Sequence, residues 1–168
     1  MLKYVDTKVV FAEIPDEITL AINISGCPCN CRGCHSSYLA GDIGTPLNEG
    51  ELEYLIEENK GITCIAFMGG DANPFLIDCF AEHIKTWHYP IKTAWYSGRQ
   101  ELSNKIHLQW WDFIKLGPYI EELGPLNSQK TNQRLYEVQH ASENELSLVD
   151  ITYKFWKDED VRNSTDNA

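Results

Sequence analysis

Residues 63–68, Thr-Cys-Ile-Ala-Phe-Met, form a continuous apolar run. That is the pattern of a strand covered on both faces, as in a parallel sheet. A parallel sheet commits a chain to crossover helices between its strands. The rest of the sequence supplies them. Residues 17–24 are rich in β-formers and read as a strand, with a shorter one expected near 8–13. Thr45-Pro46 reads as a helix start, and the stripe Leu52, Leu55, Ile56 predicts an amphipathic helix over 46–59 that Gly61 ends. Asn73-Pro74 opens a second helix carrying Leu76, Phe80, Ile84 and Trp87. Residues 91–96 read as a strand, followed by Ser97-Gly98 and a short helix to about 106, and then a strand over 112–117. Further strands are expected near 134–138 and 147–153. The order β-loop-α-β-α-β-α-β predicts an α/β fold whose ligand site lies at the carboxyl ends of the strands. The segments 26–36, Gly69-Gly70-Asp71 and Ser97-Gly98 would then meet at one sheet edge.

The chain has 168 residues, which suits one domain, expected over 1–156. The polar, aperiodic segment 157–168 is expected to be a disordered tail. The formal net charge of −11, with no basic run, argues against nucleic acid, whose binding depends on Lys and Arg contacts to phosphate. No stretch approaches the ~20 apolar residues of a membrane helix and no leader is visible, so a cytoplasmic protein is expected.

Six cysteines are present, at 27, 29, 31, 34, 64 and 79, and four of them fall within eight residues. In a cytosolic chain such crowding points to a metal or redox site. Gly26, Pro28, Asn30 and Gly33 make 26–36 a loop. Cys27, Cys31 and Cys34 have C-x-x-x-C-x-x-C spacing, and three thiolates on a short loop can grip three irons of a 4Fe-4S cubane. The fourth iron is then free for a ligand. Rival readings are a thioredoxin-type Cys31-Arg-Gly-Cys34, a four-thiolate zinc site, and a closed cluster that also uses Cys29. Cys64 and Cys79 read as small core residues. Trp110-Trp111 reads as core rather than partner surface.

The loop resembles that of the radical S-adenosylmethionine superfamily, and Gly69-Gly70-Asp71 is similar to its glycine-rich motif. The narrower resemblance is to activating enzymes of anaerobic (class III) ribonucleoside-triphosphate reductases. It is carried by Gly26-Cys-Pro-Cys-Asn-Cys-Arg-Gly-Cys-His-Ser-Ser37, Phe67-Met-Gly-Gly-Asp71, Trp95-Tyr-Ser-Gly98, Asp112-Phe-Ile-Lys-Leu-Gly-Pro-Tyr119 and Thr131-Asn-Gln-Arg134. The resemblance implies a small, incomplete, open (β/α) barrel. Cys27, Cys31 and Cys34 would hold a 4Fe-4S cluster, and S-adenosyl-L-methionine would meet Gly33, Cys34, His35, Gly69, Gly70, Asp71 and Ser97. Asp71 would take the ligand's ammonium, and Ser97 its ribose or methionine part. His35 would tune the cluster or be a solvated loop residue. Reductive cleavage would yield a 5′-deoxyadenosyl radical that makes a glycyl radical on the reductase large subunit, with flavodoxin or ferredoxin as the one-electron donor. The sequence departs from the pattern at Gly33, where an aromatic residue is common, and at Cys29, an additional thiol read as a bystander. Asn132-Gln133-Arg134 would bind the ligand carboxylate or the reductase, or serve as a surface strand. The alternatives are an activase of another glycyl-radical enzyme and a non-catalytic zinc or iron–sulfur module.

Overall fold

Leu20, Ile22 and Ile24 alternate with Thr19, Ala21 and Asn23 along β2 (Thr19–Ile24), so the two faces of this strand meet different surroundings. The computed structural model describes residues 1–156 and builds around β2 a mixed α/β protein with one eight-stranded sheet. The other strands are β1 (Lys3–Val10), β3 (Thr45–Pro46), β4 (Cys64–Met68), β5 (Lys92–Tyr96), β6 (Phe113–Leu116), β7 (Arg134–Ser142) and β8 (Glu145–Asp150). Their order is β3-β1-β2-β4-β5-β6-β7-β8. The centre, β2-β4-β5-β6, is parallel, and both flanks pair antiparallel. The apolar run 63–68 thus forms a central parallel strand.

Helices α1 (Glu49–Glu58) and α2 (Pro74–Thr86) follow β3 and β4 and pack on one face of the sheet, as right-handed crossovers require. The register row Ile22, Phe67, Trp95, Ile114 supplies that face, and Leu52, Leu55, Ile77, Phe80 and Ile84 cover it. The opposite face carries Ala21, Ala66, Ala94 and Phe113 in one row, and Asn23, Met68, Tyr96 and Lys115 in the next. Over the alanines lies Ile14, fully buried, from the β1–β2 turn, joined by Leu135 and Ile151. The second row has no such cover and opens into a cavity.

Three expectations change. Helix α1 starts at Glu49, capped by Asn48, whose side chain accepts from the Glu51 N–H at 2.9 Å. Thr45-Pro46 instead pairs with Lys3 and Tyr4, consistent with the extended backbone favoured before proline. The short helix expected after Ser97-Gly98 is a series of turns ending in a 3₁₀ turn at Leu108–Trp110. Asp78 on α2 anchors the end of this segment, accepting from the His107 N–H and from Trp111 Nε1, both at 2.9 Å. The first strand runs over Lys3–Val10, earlier than the expected 8–13. The β7–β8 hairpin starts near 134 as expected, although β8 ends at Asp150. Trp111 is buried, and Cys64 is wholly buried whereas Cys79 is only half-buried. The tail expected over 157–168 lies outside the described residues. No helix among the described residues is long and apolar enough to cross a membrane.

Candidate functional site

The carboxyl ends of β2, β4 and β5 lead into the cysteine loop, Gly69-Gly70-Asp71 and Ser97-Gly98 respectively. Parallel pairing brings these three turns side by side. The stem of the cysteine loop is closed by Gly26 N–H to Gly41 O at 3.0 Å and Cys27 N–H to Leu39 O at 2.9 Å. Within it, the Cys34 N–H donates to Cys31 O at 3.2 Å, and Asn30 takes a left-handed φ of 45°. All four loop cysteines are half-buried free thiols.

These elements wall an open cavity of about 760 Å³. That lies in the size range of sites that enclose drug-sized ligands. Cys27, Cys31, Cys34, His35, Gly69, Asp71 and Ser97 all line it. Gly33 and Gly70 do not. Gly33, at φ +72°, backs onto the Glu121 carboxyl group, which a Cβ would meet at 3.1 Å. A Cβ on Gly70 would lie 2.5 Å from Ile77 Cδ1, so its absence serves the packing of α2 rather than ligand approach. His35 is exposed, with its ring 5.7 Å from that of Tyr119.

Asp71 is the polar centre of the wall and is only 3 % exposed. Its Oδ1 accepts from Ser97 Oγ at 2.5 Å, and its Oδ2 accepts from the Gly98 N–H at 2.9 Å. Cys29 Sγ lies 3.8 Å from the same Oδ2. Burial first, and then the Asp71 carboxylate, push the Cys29 thiol up to about 12, so it stays protonated and can donate. Asp71 and Ser97 therefore reach the cavity already bonded to each other. A carboxylate keeps further lone pairs for a ligand ammonium, whereas the Ser97 hydroxyl proton is committed to Asp71.

The row Asn23, Met68, Tyr96, Lys115 also lines the cavity, joined by Glu13. Lys115 Nζ donates to the backbone carbonyls of Gly117 at 2.7 Å and Ser97 at 3.3 Å. Burial pulls its ammonium down to about 8, against the opposing fields of Asp71, Cys31, Cys29 and Cys34. The Tyr96 hydroxyl donates to the backbone carbonyl of Glu13, and burial raises the Glu13 carboxyl. Gln133 reaches the cavity too. Its neighbour Asn132 donates to Pro118 O at 2.9 Å, and Arg134 lies 3.8 Å from Asp150. Sequence reasoning missed Glu13, Tyr96 and Lys115 as site residues. The two strand residues had an available signal, since each stands on its strand within two residues of a turn at the ligand edge.

Among the described residues, no three His, Cys, Asp or Glu side chains converge on a point that could hold a single metal ion. A cubane asks for something else, because its thiolates bind separate irons at separate corners. Cys27, Cys31 and Cys34 around one cavity fit that donor set. Comparisons of the chain with protein-family models, with curated proteins and with solved structures found no match.

Proposed function

We propose that this chain is an oxidoreductase that activates an anaerobic ribonucleoside-triphosphate reductase by radical S-adenosylmethionine chemistry. The observation that carries the reading is one cavity lined by Cys27, Cys31 and Cys34 together with Gly69 and Asp71, at the carboxyl edge of parallel strands. The four adjacent parallel strands, with antiparallel strands on both flanks, accord with a small, incomplete, open (β/α) barrel. Such a barrel leaves a lateral mouth for a protein segment. Cys27, Cys31 and Cys34 would hold a 4Fe-4S cluster with one iron open to S-adenosyl-L-methionine. Such a cluster would supply the one electron needed for reductive cleavage of the sulfonium to methionine and a 5′-deoxyadenosyl radical, and so for hydrogen abstraction from a reductase glycine.

The chain's own residues would bind and orient the ligand. Asp71, fixed by Ser97 and Gly98, turns its remaining lone pairs toward the ligand ammonium, a charge-assisted contact. Gly69 lines the cavity without a side chain, and so leaves room for the ligand beside the backbone. Lys115 sets a buried positive charge within the field of Asp71 and the thiols. The electron would come from a one-electron donor such as flavodoxin or ferredoxin.

The test is anaerobic loading with iron and sulfide, followed by electron paramagnetic resonance with reductant, S-adenosylmethionine and an anaerobic ribonucleotide reductase. A cluster signal that changes on adding S-adenosylmethionine, and a glycyl doublet on the reductase, are expected. A colourless protein holding one zinc would sink the reading. A responsive cluster with no doublet would move the target to another substrate.

A further inference from the structure

We infer that Cys29 is a positioning residue whose thiol clasps the cysteine loop to the wall made by Asp71 and Gly98, and that it is not a cluster ligand. The inference rests on the reading that Cys27, Cys31 and Cys34 hold the cluster. Among the described residues, Cys29 is the one loop cysteine whose thiol is hydrogen-bonded to a neighbouring turn, with Sγ 3.8 Å from Asp71 Oδ2. The same sulfur fills the space that a Gly98 side chain would need. A Cβ at Gly98 would lie 2.7 Å from Cys29 Sγ and 3.1 Å from Cys29 Cβ. Those two contacts join the turns after β2, β4 and β5 through one side chain.

The arrangement gives each participant a reason for its type. Gly98 lacks a side chain because the sulfur occupies that place, and its N–H donates to the carboxylate that the thiol also faces. Asp71 receives three donors from two segments: Ser97 Oγ and Gly98 N–H from one turn, and Cys29 S–H from the cysteine loop. A carboxylate that must meet a ligand ammonium is then held in one orientation, and the thiols of the loop are held in register with it. A bystander role for Cys29 would give it neither contact. A ligand role would take its sulfur away from both.

The clasp predicts coupling between positions 29 and 98. In the iron-free chain, Gly98→Ala should lower the melting temperature, because the new methyl meets Sγ. In Cys29→Ala the sulfur is gone, so adding Gly98→Ala should cost much less there than in the wild type. After anaerobic loading, Cys29→Ala should bind as much iron as wild type. Its affinity for S-adenosylmethionine, read from the perturbed cluster signal, should fall roughly fivefold, in the range of one lost ordinary hydrogen bond, as suits a weak thiol donor. Cys29→Ser, whose hydroxyl can donate to Asp71, should return to within about twofold of wild type. Additive melting shifts would overturn the clasp, as would loss of the cluster in Cys29→Ala. Failure of the wild type to load any cluster would overturn the proposed function instead, and the melting cycle would still report on the clasp.

Discussion

Gly69 and Gly70 are neighbours with different reasons for lacking a side chain. Gly69 lines the cavity, at φ +101°, whereas Gly70 turns toward the core, where Ile77 Cδ1 stands 2.5 Å from the place of a Cβ. Gly70→Ala should therefore destabilise the fold by about 2 kcal/mol, from overpacking and the left-handed φ of 91°. Urea unfolding measures this, and an unchanged midpoint would show that α2 yields at no cost. The ligand thiols predict a different pattern. Cys27→Ala, Cys31→Ala and Cys34→Ala should each abolish the cluster absorbance of the loaded protein while leaving the iron-free melting temperature nearly unchanged, because all three thiols are half-buried and lie at the cavity. A variant that kept both absorbance and the response to S-adenosylmethionine would remove its cysteine from the ligand set. These residues were legible in the sequence because loop chemistry is written locally, as cysteines within one turn and glycines beside an aspartate. Glu13 was not, since a turn folded across the sheet places it at the cavity and leaves no local mark, whereas Tyr96 and Lys115 carried only the weaker signal of standing on a strand beside a turn at the ligand edge.

At the scale of elements, the segment 97–111 separates what local pattern decides from what tertiary contact decides. The strand β4 was readable as a short apolar run, β5 and β6 as further short strands, and α2 as an Asn-capped helix with proline at its first turn. The expected third helix is absent, and Asp78, buried on α2, anchors the end of the segment by accepting from the His107 N–H and the Trp111 indole N–H. His107 Nδ1 also lies 2.5 Å from Asp78 Oδ2. No periodicity in residues 99–106 could have foretold an acceptor supplied by another helix. Asp78→Ala would leave the buried indole N–H of Trp111 without a partner, and should cost about 3 kcal/mol. Trp111 sits 6.3 Å from Trp95 and 6.1 Å from Phe67, ring centre to ring centre, so tryptophan fluorescence should report its release. Unchanged emission and an unchanged midpoint would mean that packing alone holds the segment. Asn48→Ala offers a smaller companion effect of about 1 kcal/mol, the usual worth of a helix N-cap. Its unfolding midpoint should fall accordingly, which also tests why α1 begins at Glu49 rather than at Pro46.

Over the whole molecule, one sheet face is closed by two helices and the other is partly surrendered to an open cavity. Lys115 bears the clearest cost of that division. It belongs to a central parallel strand, is 7 % exposed, and has backbone carbonyls as its hydrogen-bond acceptors. Its proton is held less tightly in the folded chain, to about 8, than in the unfolded chain, where lysine titrates near 10.5. Below pH 8 both states are charged, and the folded state carries the full penalty of a buried ammonium. As the pH rises from 8 to 10.5 the folded state loses its proton first, the unfolded state binds more protons, and the penalty disappears. In the iron-free chain, the stability advantage of Lys115→Met over wild type should therefore be larger at pH 7 than at pH 10, by about 2 kcal/mol. Urea unfolding of the two proteins at each pH measures it. A difference that stays constant would mean that water or the neighbouring Asp71 keeps Lys115 charged without penalty. The cavity would then be a wetter place than its walls imply.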